Sequence, residues 1–319
     1  MRLLILLLTV AGLFAAVVMV GSVGVGPVLA AVRAIGALGF VVLCLWSVPV
    51  LTILGLAWHA VAPGQPRSSI PAFVWARTVR EAATDVLPFS QLGGLVVGAR
   101  VLTARGVLDR MTYASMTADL TTEMASQLVL TLAGVAVLVT LVAGNGDAGI
   151  VRLALAGLGV TAVVMVAFAL GQGRAIDFAA KLGERLLPAS GASLRGMRAE
   201  LAGIYRRRPA LLRSFIFNLL AWVASAAGAW IALRFMGVDL PLWAILTIES
   251  LIFAVRSAAF VVPGALGIQE GAYLLLAPLF GLDPQAALAL SLLKRARDLA
   301  IGVPALLAWQ VGEGRRLVS

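Results

Sequence analysis

Apolar runs long enough to cross a bilayer recur along the sequence and constrain its fold more than any other feature. A helix of about 20 apolar residues matches the hydrocarbon thickness of a membrane. Such runs are Leu3–Val20, Ile35–Trp58, Met111–Val142, Ile150–Leu170 and Leu211–Phe235. Because 61% of the 319 residues are apolar and 13% are charged, the sequence predicts an all-α polytopic membrane protein and excludes a soluble domain.

Charged residues lie inside apolar segments between Ile248 and Trp309. An ionised side chain at bilayer depth is costly unless it is paired or faces water, so it marks a functional path by default. The alternative is that these residues pair with one another and only hold helices together. The stretch contains Glu249, Arg256, Glu270, Lys294, Arg295, Arg297 and Asp298. This concentration favours a polar site.

A Gly/Pro-rich break, Val262–Gly267, interrupts this stretch. Pro263 removes a backbone donor, and Gly264 and Gly267 tolerate non-helical backbone angles. Irregular backbone at membrane depth persists only where it is buried in protein or lines a cavity. The break therefore predicts a broken or re-entrant helix.

A second break is predicted around Pro88, where an apolar core too short to span lies between basic flanks. At a constant offset of 175, Pro88 falls on Pro263, Gly106 on Gly281 and Glu123 on Asp298. Three full spans between the two elements would invert the second relative to the first. We predict about six full spans plus two broken elements in one membrane domain, 1–319, with inverted repeat halves 75–143 and 250–311.

Pairs of charged residues also share helix faces. Asp119 and Glu123 are four residues apart, and Asp298 is within one turn of both Lys294 and Arg295. Asp298 can therefore neutralise either cation in its own helix, which leaves open the cation that meets a substrate. The candidate substrate-binding residues are Pro88, Gln91, Asp119, Glu123, Glu249, Arg256, Pro263, Gly264, Gly267, Gln269, Glu270, Lys294, Arg295 and Asp298.

The formal net charge of +10 reports membrane topology and contact with anionic headgroups, and we expect no nucleic-acid partner. The basic loop 172–210 is predicted to be cytoplasmic, as are both chain termini. Apolar residues at helical spacing predict two short amphipathic helices on the membrane face of this loop. The loop is either a lipid-headgroup or partner surface, or a solvated determinant of topology.

The sequence contains too few cysteine and histidine residues for the sites that these residues usually form. Cys44 is the single cysteine and His59 the single histidine, so we expect neither a metal site nor a catalytic triad. The sequence also lacks a Walker-type loop for ATP, and we expect no cofactor.

Several segments resemble a bacterial family of membrane proteins associated with hopanoid biosynthesis clusters. The segments are Glu249–Leu251, Ala254–Phe260, Val262–Gly271 and Ala289–Asp298. That family belongs to a larger group built on the transmembrane region of lysylphosphatidylglycerol synthase, described as flippase-like. Leu87–Pro88 with Gln91–Gly94 resembles the group's first broken element.

This resemblance implies a multi-pass protein of the bacterial inner membrane that handles lipids. Its partners would be hopanoids or phospholipids and hopanoid biosynthesis proteins, while its oligomeric state stays open. Members that aminoacylate lipids carry a separate cytoplasmic catalytic domain, which this sequence lacks, so aminoacyl transfer is not expected.

The favoured function is lipid translocation, with Arg256, Lys294 or Arg295 pairing an anionic headgroup. Glu249 and Glu270 would hold those cations or a hydroxylated or amine-bearing group. One alternative is a membrane-embedded enzyme that uses paired carboxylates as acid and base. The other is a non-catalytic scaffold that recruits hopanoid biosynthesis enzymes through its basic loop.

Overall fold

The computed structural model describes residues 25–86, 90–143, 188–258, 265 and 267–318, together with Gly159, Val163 and Gly171. Across this part of the chain the regular structure is helical, with no strand. The α-helices are α1 (Val25–Ala60), α2 (Ile70–Val86), α3 (Ser90–Thr103), α4 (Asp109–Ala143), α5 (Pro188–Arg206), α6 (Arg208–Phe235), α7 (Leu242–Ala258), α8 (Ile268–Leu276) and α9 (Pro284–Val318). Short 3₁₀ helices cover Arg67–Ser69 and Ala277–Phe280.

Three of the described helices are long and apolar enough to cross a membrane. They cover Val32–Ala60, Asp109–Leu141 and Arg208–Phe235, and each overlaps one of the runs predicted to span. The predicted spans Leu3–Val20 and Ile150–Leu170 lie outside the described residues, apart from Gly159 and Val163. An all-helical membrane protein is therefore confirmed, whereas the number of spans stays a prediction.

The order of helices recurs along the described part of the chain. α2 and α7 have 17 residues each, and α4 and α9 have 35 residues each. Shorter helices, α3 and α8, stand between them. Gly106 and Gly281 precede the two long helices, with φ angles of 92° and 83° that favour glycine. The first and last residues of α4, Asp109 and Ala143, correspond to those of α9, Pro284 and Val318, at the offset of 175.

The chain forms two compact units, each with its own core. One contains the described residues up to Val50, Thr78–Gly98 and Val223 onward. Its buried side chains include Ile245, Ile248, Ile252, Leu290 and Leu293. The other contains Leu51–Arg77 and the described residues of Ala99–Trp222. The rings of Trp58 and Phe73 meet edge to face in its core, 5.8 Å apart.

The basic loop contains one helix in its described part, α5, and the first helix predicted there lies outside the described residues. α5 is amphipathic as predicted, but Leu201 and Ile204 are buried within the protein. Tyr205 contacts Thr121 of α4 through their hydroxyl groups at 2.9 Å. Leu201 and Ile204 therefore pack inside the protein, where α4 contacts α5, and the position of the loop on the membrane face stays a prediction.

Gly94 of α3 has no room for a side chain. A Cβ atom there would lie 2.7 Å from the carbonyl oxygen of Arg80 and closer still to the hydroxyl of Thr84. We expect Gly94→Ala to destabilise the protein by about 1–3 kcal/mol, because α2 and α3 would have to move apart. Thermal unfolding in detergent measures this change. Gly203→Ala in the exposed part of α5 is the control, since its Cβ atom meets nothing within 4 Å. Equal melting temperatures for the two variants would contradict the close approach.

Candidate functional site

Lys294 is held in a buried three-residue cluster. Its Nζ donates to Glu249 Oε2 at 2.5 Å and to the Tyr273 hydroxyl at 3.0 Å. The hydroxyl of Tyr273 in turn donates to Glu249 Oε1. The Lys294 side chain is 3% exposed and that of Glu249 is fully buried. A substrate would therefore have to break several buried hydrogen bonds to reach this cation.

Glu270 and Arg295 stabilise the C-terminal side of the second break. Arg295 donates to both carboxylate oxygens of Glu270, at 2.5 and 3.1 Å, and to the carbonyl oxygen of Ala265 at 3.4 Å. Glu270 also accepts the Gly267 N–H at 2.8 Å. Ala265 and Gly267 have positive φ angles, so this backbone is not helical. The Glu270–Arg295 pair thus supplies hydrogen bonds that a helix would otherwise provide.

Four ions that are less deeply buried form a second group, which we call the quartet: Asp85, Arg256, Arg297 and Asp298. Arg256 Nη2 donates one hydrogen bond, 3.1 Å long, to Asp85 Oδ1. Arg297 donates to Asp298 Oδ1 through Nε at 3.0 Å and Nη2 at 2.6 Å. Asp85 is in electrostatic range of both Arg297 and Asp298. The quartet therefore joins α2, α7 and α9 in one unit.

Among the ion pairs that involve candidate site residues, Arg256–Asp85 is the most exposed. The side chains of Arg256 and Asp85 are 27% and 22% exposed, against 3% for Lys294. Within the part of the chain that the structure describes, this pair is joined by one hydrogen bond, which uses one of the five guanidinium donors of Arg256. Asp85 is the penultimate residue of α2, and Arg256 lies two residues before the end of α7. Thus Arg256 and Asp85 pair where the two 17-residue helices end.

Spacing along α9 allows Asp298 to neutralise Lys294 or Arg295. Asp298 instead bonds to its neighbour Arg297. Lys294 reaches the buried carboxylate of Glu249 on α7, and Arg295 reaches the partly exposed Glu270 on α8. Ion pairs between helices therefore hold these two cations.

Asp119 and Glu123 bind one buried arginine in the other unit. Arg77 donates to Asp119 Oδ2 at 2.8 Å and to Glu123 Oε1 at 2.6 Å. Arg77 and Asp119 are fully buried. Asn218 of α6 donates to the remaining Asp119 oxygen at 3.3 Å. These carboxylates stabilise the packing of α2, α4 and α6.

The buried pairs of the two units occupy equivalent positions with opposite charge. Arg77 is the eighth residue of α2 and pairs with Asp119, the eleventh of α4. Glu249 is the eighth residue of α7 and pairs with Lys294, the eleventh of α9. Arg77–Asp119 therefore connects α2 to α4 at the helix positions at which Glu249–Lys294 connects α7 to α9.

Of the remaining candidate site residues, Gln269 has a described side-chain contact. Buried Gln269 donates to Ser291 Oγ at 2.8 Å and so links α8 to α9. Pro88, Pro263 and Gly264 lie outside the described residues, and only the backbone of Gln91 is described.

Sequence reasoning missed several partners of the predicted residues: Arg77, Asp85, Tyr273 and Ser291. It noted Arg297 as a charge but did not include it in the site. The available signal for Asp85 was a carboxylate three residues before Pro88. Tyr273 and Ser291 carry no comparable signal, because uncharged polar residues are common in membrane helices.

A family model described as the lysylphosphatidylglycerol synthase transmembrane region matches residues 3–305. The chain belongs to this family. As a member of the lysylphosphatidylglycerol synthase transmembrane-region family, it is a multi-pass membrane protein from a lipid-related family, in agreement with its apolar helices. No curated protein and no solved structure matches the chain.

Proposed function

We propose that this protein is a lipid translocase, in which a polar headgroup passes the quartet between two broken helical elements. The family relates the chain to lipids and to the membrane. Charged groups at membrane depth supply the polar contacts that a headgroup loses when it leaves the interface. Glu249, Lys294, Glu270 and Arg295 hold the surrounding helices, while Arg256 meets the headgroup.

The observation that carries this proposal is the Arg256–Asp85 ion pair. It joins the last turns of α2 and α7, which precede the Pro88 and Pro263 regions. A phosphate oxygen can replace the Asp85 carboxylate on Arg256, because a guanidinium binds phosphate through parallel hydrogen bonds. This exchange keeps Arg256 paired at depth, while Asp85 gives up its hydrogen bond to Arg256.

The repeated helix order supports alternating access by two inverted halves, 75–143 and 250–311, within one membrane domain. α8 and its 3₁₀ extension cover 13 residues, which as α-helix would span about 20 Å, less than the hydrocarbon core. α3 has 14 residues and is similarly short. Broken elements of this kind meet near the midplane in inverted-repeat carriers. About six full spans would accompany them, with both termini in the cytoplasm.

The lipid itself is proposed from the resemblance of the second half to hopanoid-associated membrane proteins. Hopanoids and phospholipids of the bacterial inner membrane are therefore the substrates to compare. In the absence of a nucleotide-binding loop, the transport would be passive or linked to an ion gradient.

Lipid exchange in proteoliposomes tests the proposal. We expect Arg256→Ala to lower the exchange rate of fluorescent phospholipids by about tenfold or more, because the headgroup loses its phosphate ligand. Arg256→Lys should recover part of the rate, since lysine keeps the charge but lacks the planar fork. A parallel assay with labelled hopanoids compares the two lipid classes.

Arg213→Ala is the matched control for this assay, because Arg213 is an exposed arginine at the start of α6. Size-exclusion chromatography shows that each variant is folded before reconstitution. Wild-type exchange rates in folded Arg256→Ala would contradict the assigned role of Arg256. No exchange of any lipid by the wild-type protein would contradict translocation itself.

A further inference from the structure

We propose that the quartet selects zwitterionic headgroups, in which a phosphate and an ammonium group belong to one lipid. This inference rests on the proposed translocation but adds a substrate class to it. It follows from the charge balance of the quartet: two guanidinium groups, Arg256 and Arg297, face two carboxylates, Asp85 and Asp298.

Three further charged residues lie close to the quartet: Lys294, Glu249 and Glu81. The neighbouring Lys294 and Glu249 pair with each other and add no net charge. Glu81 lies one turn before Asp85 in α2, in electrostatic range of Asp85. Glu81 therefore adds a carboxylate on the Asp85 side of the quartet, where an ammonium group would bind.

Headgroups of different charge disturb the quartet to different extents. A headgroup with a phosphate but no amine binds Arg256 in place of Asp85, and the Asp85 carboxylate loses this cation. A purely cationic headgroup takes Asp85 and leaves Arg256 without its anion. A zwitterionic headgroup replaces both partners together, because phosphate binds Arg256 while ammonium donates to Asp85. Every charge then remains paired throughout the exchange.

The phosphate and the ammonium group of such a headgroup each match a side chain of the quartet. A guanidinium presents donors in a planar fork that fits phosphate oxygens, and a carboxylate accepts from the three donors of an ammonium group. Arg256 and Asp85 are in hydrogen-bond contact, so the two poles can bind to adjacent groups. A neutral polyol headgroup would satisfy hydrogen bonds but would replace neither ion.

The test compares phosphatidylethanolamine and phosphatidylglycerol that carry the same acyl-chain fluorophore, in proteoliposomes of the full-length protein. We expect the wild-type protein to exchange phosphatidylethanolamine about tenfold faster than phosphatidylglycerol. Asp85→Asn should shift the ratio of the two rates toward phosphatidylglycerol by about tenfold, because it leaves the quartet with an excess of positive charge. Asp298→Asn should shift the ratio in the same direction and is the second variant if Asp85→Asn does not fold.

Asp239→Asn is the matched control, because its carboxylate pairs with Arg234 and is 83% exposed. Its rate ratio should equal that of the wild type. Equal or faster wild-type exchange of phosphatidylglycerol would overturn the inference while translocation stands, as would an unchanged ratio in both folded variants. If the wild-type protein moves neither lipid, the proposed function fails together with the inference. If both variants are unfolded, the ratio of the two wild-type exchange rates decides whether the inference holds, and a ratio of one or less overturns it.

Discussion

Replacing Arg77 with methionine is expected to lower the free energy of unfolding by about 3–5 kcal/mol, one of the two largest effects that we predict for a single substitution. The guanidinium of Arg77 donates to Asp119 and Glu123, and it is fully buried. Its removal leaves two carboxylates near each other without this shared cation, and they repel. Thermal or denaturant unfolding in detergent measures the loss.

Neutralising the two carboxylates should rescue this variant. We expect Arg77→Met combined with Asp119→Asn and Glu123→Gln to be more stable than Arg77→Met alone, because the two side chains then no longer repel each other. Arg213→Ala removes an exposed arginine and should change stability by less than about 0.5 kcal/mol. A triple variant as unstable as the single variant would mean that the Arg77 side chain acts mainly through packing.

The sequence predicts the helices well where apolar residues continue for many turns. The predicted span Met111–Val142 corresponds to α4, and Leu211–Phe235 corresponds to α6. Bilayer thickness sets the length of such helices, so periodicity and composition are sufficient. The polar elements are harder to predict. The apolar face of α5 could lie on a membrane or on another helix, and only the position of α4 decides between the two.

The charges of the candidate site were visible in the sequence, but most of their partners were not. Arg256 and Asp85 are 171 residues apart, and Lys294 and Glu249 are 45 apart. Spacing rules identify partners one helical turn away, which is why they favoured Asp298 for the cations of α9. Partners on different helices depend on which helix faces pack together, and one sequence does not contain that information.

Exchanging the charges of Glu249 and Lys294 is expected to give the second large effect. Lys294→Glu alone places two buried carboxylates together, and Glu249→Lys alone places two buried cations together. We expect each single variant to lose about 3–5 kcal/mol of stability. The double variant should recover much of this loss, with a coupling energy of about 3 kcal/mol in a double-mutant cycle. Unfolding of all four proteins in detergent measures the cycle.

The rest of the molecule gives two reasons to expect this recovery. Tyr273 can donate to a carboxylate and accept from an ammonium group at either position, because a hydroxyl does both. The other unit already has the reversed arrangement, with Arg77 at the position equivalent to Glu249 and Asp119 at that of Lys294. If the double variant is as unstable as the sum of the single variants, the surroundings of each position fix its charge. The two pairs would then be alike in position only, and the pairing would not support a common origin of the halves.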